Sequence, residues 1–239
     1  MACFDLPVFP QEWITDTARR TRTHVPPEVT AQTKWEIALD LLDQAIAWGV
    51  RHPGVVCDAR YGDNPPFLDG LEARRERQVA AVRADFTVAM GRNTPAKRAD
   101  QLVALQLGRA WATVRWKEGS TGWLKARFIA IRCWRVDGQG QPCLRWLIGQ
   151  RPARGATGDR KYLWSNFPPR TLLSTLVEYA HRRHWVEQYH EEAKSELGWD
   201  QYQGRLWTGF HRNAVLVMLS FSFLVWLVWR QRQAQSLVG

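Results

Sequence analysis

The sequence predicts an α/β fold in three parts. Residues 1–90 form a layered α/β segment, residues 91–168 an inserted antiparallel β module, and residues 169–239 carboxyl-terminal helices. Three observations carry this. In the first part, apolar residues at helical spacing alternate with short apolar runs of strand length, the rhythm of α/β layering around a partly parallel sheet. In the second, strand-like segments follow one another across Gly-rich turns with no helix between them. In the third, helical periodicity returns at Thr171 and persists to about Leu197.

Taken in order, Thr33 to Trp48 carries apolar residues at helical spacing, and Gly49 stands where a C-cap belongs. The short apolar strand Val55-Val56-Cys57 ends at Asp58. A polar turn with Gly62, Pro65 and Pro66 leads to a helix from about Phe67 to Arg75, and Val79 to Val82 reads as a second buried strand. Beyond Gly91-Arg92-Asn93-Thr94-Pro95 the pattern changes to alternation: Trp111, Thr113 and Arg115 against Ala112, Val114 and Trp116, then a turn at Gly119-Ser120-Thr121-Gly122. Phe128 to Val136 and Leu144 to Ile148 are the next strands, joined through Asp137-Gly138-Gln139-Gly140. A last helix follows Gly209. Within it, Ala214 to Trp229 is apolar for 16 positions apart from Ser220 and Ser222, short of the roughly 20 residues a bilayer span needs. A buried helix covering the sheet is expected there, with membrane insertion the runner-up.

The chain has 239 residues, 45% hydrophobic and 23% charged, a globular composition that excludes wholesale disorder. Its formal net charge of +10 favours a polyanionic partner, because basic side chains displace counterions from nucleic-acid phosphates. Of 33 basic residues six are Lys and the rest Arg, which suits bidentate phosphate contacts; a GC-rich genome produces the same bias. The four cysteines, Cys3, Cys57, Cys133 and Cys143, have no zinc-site spacing, so reduced thiols in a cytoplasm are expected. The amino terminus does not read as a signal peptide.

Two carboxylates stand out. Asp58 ends a strand, where ligands collect in α/β sheets; equally, a strand-end Asp often just starts a turn. Glu187 continues a helical stripe that begins apolar at Leu173, Leu176, Val177 and Ala180 and then becomes ionisable at His184, Glu187, Glu191 and Lys194. That stripe points Glu187 at the sheet, with Arg183 and Lys194 on roughly the same face. A surface helix laced with ion pairs fits the spacing as well.

The run from Arg183 through Glu187 to Lys194 resembles the signature of the 701-like insertion-sequence transposases, which are acidic-triad (DDE) enzymes. Their pattern places an Arg three intervening residues before the catalytic Glu and a Lys six after it, and Arg183, Glu187 and Lys194 fit both spacings. The tyrosine of that pattern falls on Ala180, with Tyr179 one place early. Asp58-Ala59-Arg60-Tyr61-Gly62 resembles the second-aspartate motif, and Asp200 to Arg212 resembles the segment downstream of the glutamate.

The resemblance implies an RNase H-like core and two-metal DNA strand cleavage and strand transfer. Asp58 and Glu187 would be catalytic ligands of Mg²⁺ or Mn²⁺, since hard cations prefer oxygen. They are expected to lie close enough to share a metal. Arg183 and Lys194 would contact phosphates at the transposon ends. A tryptophan of the β module, Trp116 or Trp123, would stack on a base, although core packing is the commoner role for each. The family's first aspartate has no counterpart: neither Asp5 nor Asp16 has its setting, and Leu6 to Asp16 resembles the stretch after the first hairpin. A chain lacking the first strands, inactive alone, is therefore expected, with DNA, a full-length transposase or separately encoded amino-terminal half, or a second copy as partners, and no membrane. A catalytically dead DNA-binding remnant or regulator is the second reading, and a membrane-associated protein the third.

Overall fold

A computed structural model of the protein describes residues 15–119 and 122–236. Cys3, Asp5, most of the Leu6–Asp16 stretch and the turn residues Ser120 and Thr121 lie outside the described residues. The chain divides into two compact units: a sheet unit over residues 35–183, and a helical unit made of the segment ending at Lys34 and the segment beginning at His184.

The sheet unit opens with helix α2, Lys34–Ala47; α1, Thr17–Thr23, belongs to the helical unit. Gly49 follows α2 at φ +68°, the left-handed conformation that ends a helix at low cost to glycine. Strand β1 is Val55–Cys57 and β2 is Gln78–Val82, paired in parallel with Val56 opposite Val79. Between them, the expected polar turn contains one short helix, and the helix expected from about Phe67 is present, starting at Pro65. Asp58 caps α3, Ala59–Gly62, and Asn64 caps α4, Pro65–Ala73, accepting from the Phe67 N–H at 3.2 Å. Pro65 stands at the first helical position, where its missing N–H costs nothing.

The pair β3, Thr87–Val88, and β4, Lys97–Arg98, forms a small antiparallel sheet, followed by α5, Ala99–Ala104. The strands β5, Ala112–Gly119, β6, Gly122–Val136, β7, Pro142–Pro152, and β8, Lys161–Ser165, come next, and α6, Leu173–His181, closes the unit. The six-stranded sheet runs β1-β2-β8-β7-β6-β5. The stretch expected as an inserted module thus supplies four of its six strands, joined to the α/β part through β8, whose Trp164 lies opposite Ala80 of β2.

Alternation along the strands buries both faces. Ala80, Val82, Ile129, Cys133, Leu147 and Trp164 meet Leu39 of α2, Leu68 and Leu71 of α4 and Leu102 of α5. On the other face Val79, Phe128, Ile148 and Leu163 meet Leu176 and Val177 of α6.

The helical unit contains α1, capped by Asp16 through the Arg19 N–H at 2.8 Å, then α7, His184–Ser195, a 3-10 turn at Trp199–Gln201, and α8, Trp207–Ser236. Its core is small: Tyr189 and Ala193 of α7 and Val217 of α8, with Leu197, Trp199, Met218 and Phe221 partly buried against them. The expectation of a buried terminal helix is corrected here. Among the described residues of α8, only Ala214 and Val217 are buried, and Leu216, Leu219, Phe223 and Trp229 are exposed. The helix is long and apolar enough to cross a membrane by length and composition.

Candidate active site

Asp58 lies where β1 ends, in extended conformation, with its Oδ1 accepting from the Arg60 N–H at 2.9 Å. Its carbonyl accepts from the N–H groups of Tyr61 at 3.2 Å and Gly62 at 2.8 Å, closing the single turn of α3. The cap uses one carboxylate oxygen, which leaves Oδ2 for another ligand. The Tyr-Gly pair after it has a packing explanation. A Cβ on Gly62 would fall 1.9 Å from the Ala81 carbonyl oxygen of β2, so only glycine lets α3 lie directly on that strand. Tyr61 stacks obliquely on Phe67, ring centroids 5.1 Å apart, tying α3 to α4. Both residues therefore hold Asp58 in place at the sheet's carboxyl end.

The surroundings of Asp58 are unequal in charge. Burial pushes the Cys57 thiol far above its ordinary value, the Asp58 carboxylate adds to that, and the Arg183 guanidinium opposes it. Arg183, in the turn after α6, is thus within electrostatic reach of the strand end. Asp63 is tied to Arg83, accepting its N–H at 3.0 Å and pairing with its side chain at 3.0 Å. Burial raises the Asp63 carboxyl above the usual range despite that partner.

Glu187 and Lys194 lie on α7 in the other unit, and both are exposed. The inward stripe expected through Glu187 is not formed. The expected single helix breaks at Arg182-Arg183, which resets the helical phase, and the buried residues of α7 are Tyr189 and Ala193. Arg183 is outside the helix, so it does not share a helical face with Glu187; Glu187 and Lys194, seven residues apart, do. Glu187 in the first turn and Lys194 in the last also complement the helix dipole, a role that needs no metal.

Of the two tryptophans expected to stack on a base, Trp116 is already engaged. Its ring stacks on His181 at 3.9 Å and meets the edge of Phe128 at 5.7 Å, joining β5 to α6. Trp123 is 52% exposed on β6. Among the described residues, no group of three or more His, Cys, Asp or Glu side chains could hold a metal ion. Elsewhere on the sheet unit, a cavity of about 110 Å³ is lined by Trp111, Tyr162, Gln150, Arg151 and Arg160 among others. Its lining comes from α5, the approach to β5, β7 and the approach to and start of β8, so no local pattern in the sequence marks it.

None of the curated proteins matches the chain significantly. A family match covers Asp58, Tyr61, Gly62 and Trp116 and stops before Arg183, Glu187 and Lys194. The mixed α/β architecture, a six-stranded sheet with a small antiparallel sheet and carboxyl-terminal helices, is consistent with the RNase H-like fold of DDE nucleases. Residues 5–122 match the family model described as DDE superfamily endonuclease, and this likeness supports a DDE-type transposase or endonuclease acting on DNA.

Proposed function

We propose that the protein takes part in DNA transposition as an insertion-sequence transposase of the 701-like group, cutting and joining DNA at transposon ends. The observation that carries this is the geometry of Asp58: a carboxylate at the carboxyl end of β1, steadied by a Tyr61-Gly62 turn that fits against β2 only because residue 62 is glycine. In this reading Asp58 and Glu187 are the metal ligands, Arg183 and Lys194 contact DNA phosphates, and Trp123 rather than Trp116 is the tryptophan available to a base.

The donor set suits Mg²⁺ or Mn²⁺, which take carboxylate oxygen, and Asp58 keeps one oxygen outside its cap. When bound, such ions activate the attacking hydroxyl and neutralise the leaving oxygen. The chain's own side chains position the DNA: Arg183 forks onto a phosphate beside the β1 end, and Lys194 supplies a point charge on α7. Two-metal chemistry calls for a third carboxylate, and the described residues assemble no three-ligand group. That observation favours a second reading, a DNA-binding protein that does not cut and regulates an active relative. In either case we place the protein in the cytoplasm.

Mn²⁺ binding followed by electron paramagnetic resonance tests the ligand assignment independently of activity. Asp58→Asn and Glu187→Gln should each weaken Mn²⁺ binding tenfold or more. Unchanged binding in both variants rules out the shared site. Incubation with a labelled transposon-end duplex and Mn²⁺ then separates the readings: cutting that Glu187→Gln abolishes marks a nuclease, and binding without cutting marks the regulator.

A further inference from the structure

Most arginines of the sheet unit that sit near a carboxylate are paired with one: Arg74 with Asp43, Arg83 with Asp63, Arg98 with Asp100 and Arg145 with Glu72. A second set is not. Arg151 of β7 stands directly opposite Arg127 of β6 in the strand register, and Arg154 and Arg160 lie on the connection from β7 to β8. Among the described residues, no carboxylate forms an ion pair with any of the four, and neighbouring Asp159 forms none either. Like charges facing each other across two strands destabilise a sheet. Burial lowers the Arg151 guanidinium from its ordinary value, and the charges of Arg127, Arg160 and Arg154 lower it further.

Two of the four are nonetheless held in fixed positions. The Arg151 guanidinium lies 4.0 Å from the centroid of the Trp111 ring, and Arg127 donates through Nη2 to the Gly108 carbonyl at 2.9 Å. Arg151 and Arg160 line the cavity together with Gln106, Gln150, Trp111 and Tyr162. Trp111 and Tyr162 are buried, 8% and 7% exposed, so the cavity has an aromatic floor and a cationic, amide-bearing rim. We propose that Arg127, Arg151, Arg154 and Arg160 form a site for DNA backbone phosphates, seated on the cavity floored by Trp111 and Tyr162.

Phosphate fits better than the alternatives. Guanidinium forks match phosphate oxygens in pairs, and a stacked guanidinium loses little freedom on binding. A bound anion also offsets the repulsion among four clustered cations. A base has no place at Trp111, whose ring is buried and carries Arg151, so the contact is with the backbone and reads no sequence. The inference rests on the DNA-binding reading above and locates a second point of contact, distinct from Arg183 and Lys194.

Fluorescence anisotropy with a labelled duplex across a salt series tests it. The variant Arg151→Gln/Arg154→Gln/Arg160→Gln should lose at least tenfold in affinity, and the slope of log affinity against log salt should shrink by about 2 to 3, roughly 0.9 for each phosphate contact removed. The control Arg22→Gln/Arg51→Gln/Arg92→Gln removes the same charge from exposed arginines and should change the slope by less than about 1. Equal losses in the two variants, or an unchanged slope in the first, overturn the site while the DNA reading stands. Absence of DNA binding by the unaltered protein overturns both. Should Arg151→Gln unfold the protein, Arg154→Gln/Arg160→Gln, both at exposed positions, carries the same comparison with a slope change of about 2. Pyrophosphate at matched ionic strength should raise the melting temperature of the unaltered protein, less so that of the variant, and compete with DNA. Stabilisation by pyrophosphate that DNA does not displace assigns the site to free phosphate compounds and overturns the nucleic-acid proposal.

Discussion

In the sheet unit, Leu71, Val79, Ala80, Leu147 and Trp164 are fully enclosed, whereas α8 of the helical unit leaves Leu216, Leu219, Phe223 and Trp229 more than half exposed. The contrast follows from layer number. The sheet is apolar on both faces and has helices for both, so its strands bury residues of either parity. Among the described residues, the helical unit holds one cluster in which Tyr189, Ala193 and Val217 are buried, and α8, 30 residues long, has far more apolar surface than that cluster can cover. A helix of this kind gains little tertiary stabilisation per residue, so the sheet unit should outlast the helical unit under any perturbation.

The largest expected effect is in the sheet. Trp164 spans one core and is fully buried; Trp164→Ala should cost about 3–5 kcal/mol in chemical denaturation and unfold much of the protein. Gly62→Ala comes next. The new methyl group meets the Ala81 carbonyl oxygen, which is backbone and cannot rotate away, so a loss of about 1–3 kcal/mol is expected, with weaker Mn²⁺ binding at Asp58 if that site is as proposed. A Gly62→Ala protein of unchanged melting temperature would remove the packing argument for the Tyr-Gly motif.

A pH effect of smaller size sharpens the same comparison, since both histidines concerned belong to the sheet unit. His181 is lowered from its ordinary 6.5 by burial, against the pull of the Val177 carbonyl, so the fold favours its neutral form. Its contribution is present above about pH 6.5 and is lost as pH falls towards and through the lowered value. His52 is raised, first by the Val50 carbonyl and then by Glu76, so it stabilises below pH 6.5 and ceases to do so as pH rises through its raised value. The fall in melting temperature from pH 7.5 to 5.5 should therefore be smaller in His181→Asn and larger in His52→Asn, as differential scanning calorimetry at roughly those two pH values would show. The smallest effect is expected on α8: Leu219→Gln with Phe223→Gln should change stability by less than about 0.5 kcal/mol each while reducing self-association in light scattering. A large loss of stability there would mean that α8 is covered in solution.

How much was legible beforehand divides along the range of the interactions. The helix over Lys34–Ala47, the strand Val55–Cys57 ending at Asp58 and the antiparallel run after Trp111 follow from local periodicity and turn residues. The short helix after Asp58 is also written locally, as a side-chain cap, but Gly62, Pro65 and Pro66 read as a turn and hide it; the helix expected from about Phe67 is present and starts two residues earlier, at Pro65 behind its Asn64 cap. The break at Arg182-Arg183 left no strong local mark, since neither residue is Gly or Pro, and it moved Glu187 off the inward stripe.

The amino-acid sequence by itself determined the basic charge, the main helices and strands in their order, and the placing of Asp58 at a strand end, because each depends on residues within a turn or two of one another. Only the tertiary structure decided that the antiparallel strands join β2 through β8, that Trp116 is spent on His181, and that Arg127 faces Arg151 beside Trp111. Those pairings connect residues 24 to 86 positions apart, and burial on the two faces of the sheet selects among them; no local pattern records that selection.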